Sequence, residues 1–373
     1  MTKPPILWLN VSFFTITSLA AIIFTPLYIY FYDLTWLHLL VFLITLGFSG
    51  ISITAGYHRL WAHRTYQAHP ILQIIYALGG AFAVQNSALH WSSDHRDHHK
   101  YVDHDGDPYA APKGFWFSHI GWMLRDYQGE QYSNYANVRD LQNNPIVSWQ
   151  HRNYLSLVLV TNLGIPLLLG VILGDLWGML LFAGLLRLIV CQHSTFFINS
   201  LAHIWGTRPY STKNTARDNH LLAILTFGEG YHNFHHHFAS DYRNGVKWWQ
   251  FDPTKWLIWS LSKIRLAKNL KITNEEAIER AKAETLYLKT KAQLAAAHPQ
   301  LIKLQQQYEL LIHDLQHYYK VRRRLLLLRK QKVMQQYDAL EISEQCKALK
   351  ETFTRTKHNW LKLNRALLKQ AAS

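Results

Sequence analysis

Two histidine triplets with the same spacing are the part of this 373-residue sequence whose residue types best suit chemistry. Each has histidines at positions i, i+3 and i+4, and the two triplets are His95, His98 and His99, and His232, His235 and His236. These offsets lie within one helical turn on one face, so we expect the three rings of each triplet to converge on one point. Neutral imidazole binds iron, zinc or copper far better than magnesium or calcium, which prefer oxygen ligands. The spacing therefore predicts a metal site.

Two further pairs could complete such a site. His58 and His63 are five residues apart, which is not a regular one-face pair, so this spacing predicts some unwinding of the helix. Asn199 and His203 are four residues apart and share a helical face. A lone histidine more often has a structural role, but the joint pattern in a chain with 22 histidines favours two metal ions. The predicted ligands, with Asn199 acting through water, are His58, His63, His95, His98, His99, Asn199, His203, His232, His235 and His236.

The remaining composition narrows the metal chemistry. Two cysteines, Cys191 and Cys346, are too few for a disulfide framework, a four-thiolate zinc site or an iron–sulfur cluster. Suitably placed Glu-x-x-His pairs, as in soluble di-iron bundles, are missing, and so is the His-Glu-x-x-His motif of zinc hydrolases. We therefore expect an all-histidine dinuclear site. Iron is favoured over zinc or copper because an open, nitrogen-rich iron pair activates oxygen.

Apolar segments long enough to cross a bilayer must position these histidines. Four retained transmembrane helices, arranged as two hairpins, are predicted at Ile6 to Tyr30, Leu34 to Gly56, Tyr154 to Leu173 and Leu176 to Asn199. Between the hairpins, we expect Pro70 to Leu89 to lie in the membrane interface or against the bundle, and His90 to Arg152 to form a soluble insertion. The predicted fold is all-α and integral to the membrane, with a cytosolic helical cap that carries the histidine boxes.

Charge predicts the orientation of these spans. The short hairpin links lack lysine and arginine, whereas the N-terminus, the insertion and everything after Asn199 are basic, so the positive-inside rule predicts a multi-pass protein with both termini cytoplasmic. The formal net charge of +15 points to anionic partners such as lipid head groups, nucleic acid, a phosphorylated substrate or an acidic protein. Arg187 lies inside a predicted span, where it either faces the bundle interior or extends to the interface.

Composition changes after about Ile272, which predicts a transmembrane domain at residues 1–271 and a C-terminal helical, coiled-coil-like extension at residues 272–373. We expect two helices around Pro299, packed as a hairpin or against another chain. Apolar residues in alternating three- and four-residue steps predict the packed seam of the second helix, and they are Leu301, Leu304, Tyr308, Leu311, Leu315 and Tyr318. A basic run that includes Arg322, Arg323, Arg324, Arg329 and Lys330 either binds anionic lipid or nucleic acid or, as we favour, is a solvated face.

The histidine boxes resemble those of the membrane fatty acid desaturases of the stearoyl-CoA (delta-9) type. The likeness extends from about Leu34 to Trp256 and leaves out the tail beyond Ile272. It rests on the order, spacing and flanks of His58–His63, His95–His99, Asn199–His203 and Glu229–His236, with Thr54-Ala55-Gly56 before the first box and Gly206–Tyr210 after the asparagine box.

The resemblance implies an enzyme that uses two iron ions, oxygen and two external electrons to introduce a cis double bond into a saturated acyl chain. It also implies a bent acyl tunnel and cytosolic head-group contacts, with the matching substrate-binding residues Gln85, Asn86, Trp91, Asp94, Arg125 and Thr195. Gly50 would lie near the end of the tunnel, where a small residue either leaves room for a long chain or permits close helix packing. Ser93 departs from the arginine of coenzyme A-using relatives, which weakens acyl-CoA against an acyl-lipid or carrier-bound substrate.

The expected partners follow from this chemistry. They are a fatty acyl-CoA or other acyl carrier, oxygen, the lipid bilayer and a separate electron donor, either a ferredoxin or a b-type cytochrome with its reductase, because the sequence shows no glycine-rich dinucleotide fingerprint and few cysteines. The alternatives are an acyl-lipid desaturase, a related membrane di-iron hydroxylase and, more distantly, a membrane metal transporter, which would hold its ligands at the bilayer midplane. We expect no nucleic-acid partner, because the tail is helical and its charges are mixed.

Overall fold

The computed structural model describes residues 4–294, 298–331 and 336–372, with side chains omitted at 329–331, 336–339 and 372. Contacts divide the chain into two compact units, residues 1–207 with 214–272 and residues 208–213 with 273–373. The functional division predicted between residues 271 and 272 stays a prediction.

The first unit is built almost entirely from helices. In chain order, its first part contains α1 (Trp8–Phe31), α2 (Trp36–Ile51) with a π-helical continuation (Ser52–Ala62), the strand β1 (Gln67–Ala68), α3 (Pro70–Ala83), α4 (Ala88–Tyr101), α5 (Phe115–His119), α6 (Arg139–Gln142) and α7 (Pro145–Arg152). It continues with α8 (Tyr154–Leu159), α9 (Ile165–Leu173), α10 (Leu176–Met179), α11 (Arg187–Asn199), α12 (Leu201–Ile204), α13 (His220–Leu225), α14 (His232–His237), α15 (Pro253–Lys263) and β2 (Ala267–Lys268). The two strands pair antiparallel. Short π-helical turns join α8 to α9 (Val160–Gly164) and α10 to α11 (Leu180–Leu186).

Four helical stretches are long and apolar enough to cross a membrane, which confirms the predicted all-α fold with four candidate spans. Within the described residues they are Trp8–Phe31, Trp36–Ala62, Tyr154–Leu173 and Leu176–Ile204. Large apolar side chains such as Leu9, Ile22 and Val171 are 83%, 69% and 76% exposed, as expected of a surface that faces lipid. The chain bends by 81° between α3 and α4, so the segment predicted to lie in the interface or against the bundle forms one arm of a broken helix pair.

The fold around Arg187 shows why an arginine is tolerated in a span. Its side chain is fully buried, its guanidinium carbon lies 3.4 Å from the Phe82 ring centroid, and the group donates hydrogen bonds to the carbonyl of Phe82 at 2.6 Å and to Oδ1 of Asn162 at 2.8 Å. Phe82 lies in the last turn of α3, where the carbonyl groups have no partner within the helix. Arg187 therefore faces the bundle interior and caps α3, and the alternative of an arginine that extends to the interface is wrong.

The second unit contains three helices in its described residues: α16 (Glu275–Gln293), α17 (Leu301–Gln331) and α18 (Gln336–Ala372). The two helices predicted around Pro299 are α16 and α17, which pack on each other, whereas the prediction missed α18, which packs on both. Tyr308 of the predicted seam stacks on Tyr287 of α16 at 4.7 Å, and Tyr318 stacks on Phe353 of α18 at 5.9 Å. The seam is thus covered within this chain.

Two arginines of the basic run in α17 lie beside acidic residues at the start of α16. Arg322 forms an ion pair with Glu275, and Arg323 Nη1 lies 3.0 Å from Glu276 Oε2. These contacts agree with a solvated, charge-paired face. The side chains of Arg329 and Lys330, which belonged to the same predicted run, lie outside the described residues.

Candidate metal centre

Nine histidines collect into two neighbouring groups. In each group, ligand-capable atoms lie within 4.8 Å of one another, and the groups are His58, His63, His95, His99 and His235, and His98, His203, His232 and His236. The groups adjoin, because the rings of His99 and His236 stack with centroids 4.3 Å apart. Among the described residues, neither group includes an aspartate, glutamate or cysteine. All nine histidines predicted from the sequence are therefore brought together.

The triplets do not converge on one point each, so that expectation was wrong. His95 and His99 belong to one group and His98 to the other, and the second triplet divides in the same way. Successive residues of an α-helix are about 100° apart, so residues i and i+4 nearly eclipse, whereas residue i+3 lies about 60° to the other side of residue i. Each triplet therefore contributes ligands to both groups and holds them side by side.

A π-helix aligns His58 with His63. The backbone N–H of His63 donates to the carbonyl of His58 at 3.0 Å, and this i to i+5 pattern places residues five apart on one face. The two ring centroids are 4.8 Å apart. The unwinding expected from the five-residue spacing therefore takes the form of a π-helix over Ser52–Ala62, which has more residues per turn than an α-helix. Close packing accompanies this, because a Cβ on Gly56 would lie 2.6 Å from Cβ of Tyr76 in α3.

The Nε2 atoms of the five-histidine group face one another. His63 Nε2 lies 2.8 Å from His95 Nε2, and His235 Nε2 lies 2.9 Å from His99 Nε2 and 3.0 Å from His58 Nε2. Neighbouring nitrogens around a metal ion are about 3 Å apart when each is about 2.1 Å from the ion and they subtend a right angle. Unprotonated nitrogens at this separation repel each other unless a cation lies between them. The group therefore fits a metal ion.

The four-histidine group has the same character. His232 Nε2 lies 3.1 Å from His203 Nε2 and 3.0 Å from His236 Nε2, and His98 Nε2 lies 3.2 Å from His236 Nε2. Burial, reinforced by the neighbouring imidazoles, lowers the pKa of His232 and His236 well below the ordinary histidine value. Both rings are therefore neutral near pH 7, the form in which imidazole binds metals.

Other residues orient several rings through Nδ1. His58 Nδ1 lies 2.9 Å from Glu229 Oε2, and His98 Nδ1 lies 2.9 Å from Asp107 Oδ1. His203 Nδ1 lies 2.7 Å from the Thr215 hydroxyl. A partner at Nδ1 fixes the tautomer that leaves the Nε2 lone pair available to a metal. Sequence reasoning missed these partners, although Glu229 lies only three residues before His232 in the quoted motif.

Glu229 belongs to a buried charge network. Its Oε1 lies 2.9 Å from Nη2 of Arg59, the residue after His58, and Arg59 also lies 3.0 Å from Asp252. Asn244 donates to Glu229 Oε2 at 2.6 Å. Burial alone would raise the pKa of Glu229, but His58 and Arg59 hold it below its ordinary value. The end of the second span is thereby tied to the segment that precedes α14.

Asn199 is the one predicted ligand that is not a histidine. It is the last residue of α11, half-buried, and the helix is interrupted at Ser200 before His203 in α12. Within the described chain, its side chain makes no hydrogen bond. Its indirect role stays a prediction.

Two of the three predicted tunnel residues, Gln85 and Thr195, are in contact. Gln85 Nε2 donates to the Thr195 hydroxyl at 2.8 Å, and Gln85 Oε1 is buried without a partner among the described residues. Trp91 stacks on His95 with ring centroids 4.8 Å apart. The structure also decides between the two explanations of Gly50, because a Cβ there would lie 2.2 Å from the Phe227 ring. Gly50 permits close packing and leaves no free room.

The predicted head-group residues are less closely grouped. Asn86 donates to the Tyr132 hydroxyl at 3.0 Å, and Asp94 accepts from Gln128 at 3.2 Å. Arg125 instead donates to the carbonyl of Pro4 at 2.7 Å. Asn86 and Asp94 thus contact one segment of the insertion, while the guanidinium of Arg125 is bonded to the N-terminal segment.

The sequence comparisons agree with this geometry. The family model described as fatty acid desaturase matches residues 34–265, more than half of the chain and a range that contains all nine histidines. The chain belongs to the fatty acid desaturase family. Helices α16, α17 and α18 lie outside the region matched by this family model.

Three relatives show the breadth of this desaturase family. Acyl-CoA desaturase 1 of Saccharomyces cerevisiae is 48% identical over 249 residues, 66% of this chain and 49% of the relative. Stearoyl-CoA desaturase 5 of Bos taurus is 37% identical over 289 residues, which cover 76% and 85% of the two chains. The sn-2 palmitoyl-lipid 9-desaturase of Nostoc is 38% identical over 273 residues, which cover 72% and 91%. The chain thus spans about half the length of the yeast relative.

Proposed function

We propose that this protein is an oxygen-dependent fatty acyl desaturase that introduces a cis double bond, at the delta-9 position, into a saturated acyl-CoA. The observation that carries the proposal is the pair of adjoining all-histidine groups at the ends of two candidate membrane spans, in a chain of this family. The two groups hold one iron ion each. Bound iron would supply the activation of oxygen and the removal of two hydrogen atoms from neighbouring methylenes.

The net reaction balances with an external donor. The acyl chain loses two hydrogen atoms, and these combine with O₂, two electrons and two protons to give two molecules of water. The electrons come from a separate ferredoxin or b-type cytochrome. A basic protein with a net charge of +15 suits an acidic donor.

The residues around the histidines select the position of reaction. Methylenes of an acyl chain are chemically alike, so the site of oxidation must follow from where the chain is held. Gln85 and Thr195 form a hydrogen-bonded pair, and Trp91 stacks directly on the candidate ligand His95. These three side chains shape the bend of the acyl tunnel, and Trp91 brings its wall to the metal centre.

Membrane orientation is part of the proposal. The histidine groups, the insertion and both termini face the cytoplasm, where coenzyme A and a soluble donor are available. The support is the distribution of lysine and arginine, which the short hairpin links lack.

An acyl-lipid substrate is the second candidate. Ser93 stands where the resemblance predicts an arginine in coenzyme A-using enzymes, and its hydroxyl is buried and donates to Asn137 at 2.8 Å. The Nostoc relative, named for a palmitoyl-lipid, is as similar as the bovine one. Membranes that contain the protein should convert labelled stearoyl-CoA before the label reaches phospholipid, whereas conversion only after that transfer would identify an acyl-lipid enzyme.

Product analysis tests the reaction itself. Cells that express the full chain together with a ferredoxin and a b-type cytochrome, each with its reductase, should accumulate cis-monounsaturated fatty acids detected by gas chromatography. A His98→Ala variant expressed at the same level should give none. Hydroxylated fatty acids in place of alkenes would move the protein to the hydroxylase relatives. No new product from metal-loaded protein with both donors present would contradict the proposal.

A further inference from the structure

Helices α16, α17 and α18, which we call the C-terminal bundle, line a cavity that contains none of the nine histidines. Its volume is about 280 Å³, and all of its lining residues belong to the second unit. Leu311, Leu315 and Phe353 form an apolar wall, and each is less than 10% exposed. Small-molecule sites in proteins are typically apolar concavities of this size or larger with a few polar groups.

The charged residues that line this cavity are mainly basic. Lys282, Lys289 and Lys357 contribute three positive charges and Glu279 one negative charge. Glu279 forms ion pairs with both Lys282 and Lys357, whose side chains are 37% and 40% exposed. The cavity therefore combines a solvated, net positive rim with an apolar interior, as a binding site for an amphipathic anion requires.

Trp360 provides an independent observation. It lines the cavity, is 1% exposed, and its indole nitrogen Nε1 has no hydrogen-bond partner among the described residues. Buried indole N–H groups usually find an acceptor, because an unsatisfied buried donor costs about 1–3 kcal/mol. A ligand with acceptor oxygens would satisfy this donor.

We propose that the bundle α16–α18 binds a single-chain carboxylate amphiphile of the medium-chain fatty acid class. Lysine ammonium groups and the Trp360 N–H meet the carboxylate, and the aliphatic chain contacts the leucine and phenylalanine wall. The cavity volume of about 280 Å³ is at the lower end of the range for small-molecule sites, which favours a single aliphatic chain. This inference stands apart from the proposed desaturase function, because it rests only on the second unit.

Photoaffinity labelling of the full chain in lipid nanodiscs tests the proposal. The probe is a decanoic acid with a diazirine on its chain, and labelled peptides are mapped by mass spectrometry. We expect adducts on α16, α17 and α18 that unlabelled decanoate suppresses and decanol does not. Adducts on the membrane spans serve as the internal reference, because they report general partitioning of the probe.

Three variants and one control locate the site. Lys282→Ala with Lys357→Ala should lower bundle labelling at least about tenfold, and Leu315→Trp should abolish it by filling the cavity. Trp360→Phe keeps an aromatic ring but removes the N–H, and should lower labelling several-fold. Lys350→Ala, at an exposed lysine of α18 that does not line the cavity, should leave labelling unchanged. Circular dichroism checks that each variant is folded.

Several outcomes would overturn the proposal. Bundle labelling no greater than that obtained with a diazirine-bearing decanol would remove the role of the carboxylate. Equal labelling of wild type and folded Leu315→Trp would show that the probe does not bind in the cavity. Suppression by decyl phosphate and not by decanoate would assign the site to a phosphate head group.

Discussion

The two histidine groups have the same ligand type but different support. The five-histidine group is tied through His58 to Glu229, which also pairs with the buried Arg59. The four-histidine group is tied through His98 to Asp107, which lies in the loop after α4 and accepts the backbone N–H groups of Asp103 and Tyr109 at 3.1 Å. One group is therefore coupled to a charge network in the core and the other to the conformation of a loop.

This difference shows that a carboxylate behind a ligand ring can have two roles. A carboxylate on Nδ1 orients a ligand ring in either case. Glu229 in addition compensates a buried guanidinium, so its loss affects folding as well as metal binding. We therefore expect the five-histidine group to be the more rigidly held.

Removal of one ligand from either group should have the largest effect. His235→Ala and His98→Ala should each lower desaturation by at least about 100-fold, because the proposed reaction needs a metal ion in each group, while membrane insertion stays intact. The readout is product formed per amount of membrane-inserted protein. His104→Ala, an exposed histidine outside both groups, is the matched control. A His98 or His235 variant with normal turnover would remove that residue from the ligand set.

Removal of the carboxylates that contact the Nδ1 atoms should affect the two histidine groups differently. Glu229→Gln and Asp107→Asn should each weaken metal binding by about 10–100-fold. Glu229→Gln should also cost about 3 kcal/mol or more of stability, since Arg59 loses one of two buried carboxylate partners. Thermal unfolding of the metal-depleted proteins measures the second effect alone. Equal unfolding midpoints for the two variants would contradict the distinction drawn here.

Asn199→Ala should have a smaller effect than the loss of a histidine. If Asn199 acts through water, as predicted, the variant should keep its metal content but lose about tenfold in turnover. Metal analysis and turnover on the same preparation distinguish this result from a direct role. Loss of one metal ion per chain would make Asn199 a direct ligand.

Changes to the tunnel residues should have the smallest effect on the turnover rate and should leave both histidine groups intact. Thr195→Val removes the hydroxyl that Gln85 contacts while keeping the side-chain shape. We expect a shift in double-bond position or chain-length preference, with turnover within about tenfold of wild type, because the acyl chain is held differently. Mass spectrometry of derivatised alkenes measures this shift. An unchanged product distribution would remove Thr195 from the tunnel wall.

Much of the fold and of the candidate site followed from local sequence patterns. The four spans could be predicted because an apolar run long enough to cross a bilayer indicates a transmembrane helix. The nine histidines could be predicted as ligands because histidines with separate structural roles seldom repeat the same spacing. The partition of each triplet also follows from 3.6 residues per turn, although we had expected convergence on one point.

Other features depend on contacts that no local pattern encodes. The π-helix that aligns His58 with His63 packs closely against α3 at Gly56, and Gly50 owes its small size to Phe227, 177 residues away in sequence. Helices α17 and α18 pack on each other, although the sequence between them has neither proline nor glycine to mark the end of a helix. The pairing of Glu229 with Arg59 is equally non-local.

Metal stoichiometry tests the central claim most directly. Iron per chain, measured on protein purified from iron-supplemented cells, should be two for the wild type and for His104→Ala. It should fall to one or fewer for both His235→Ala and His98→Ala. A single iron per wild-type chain, or two in either ligand variant, would contradict the assignment of one metal ion to each histidine group.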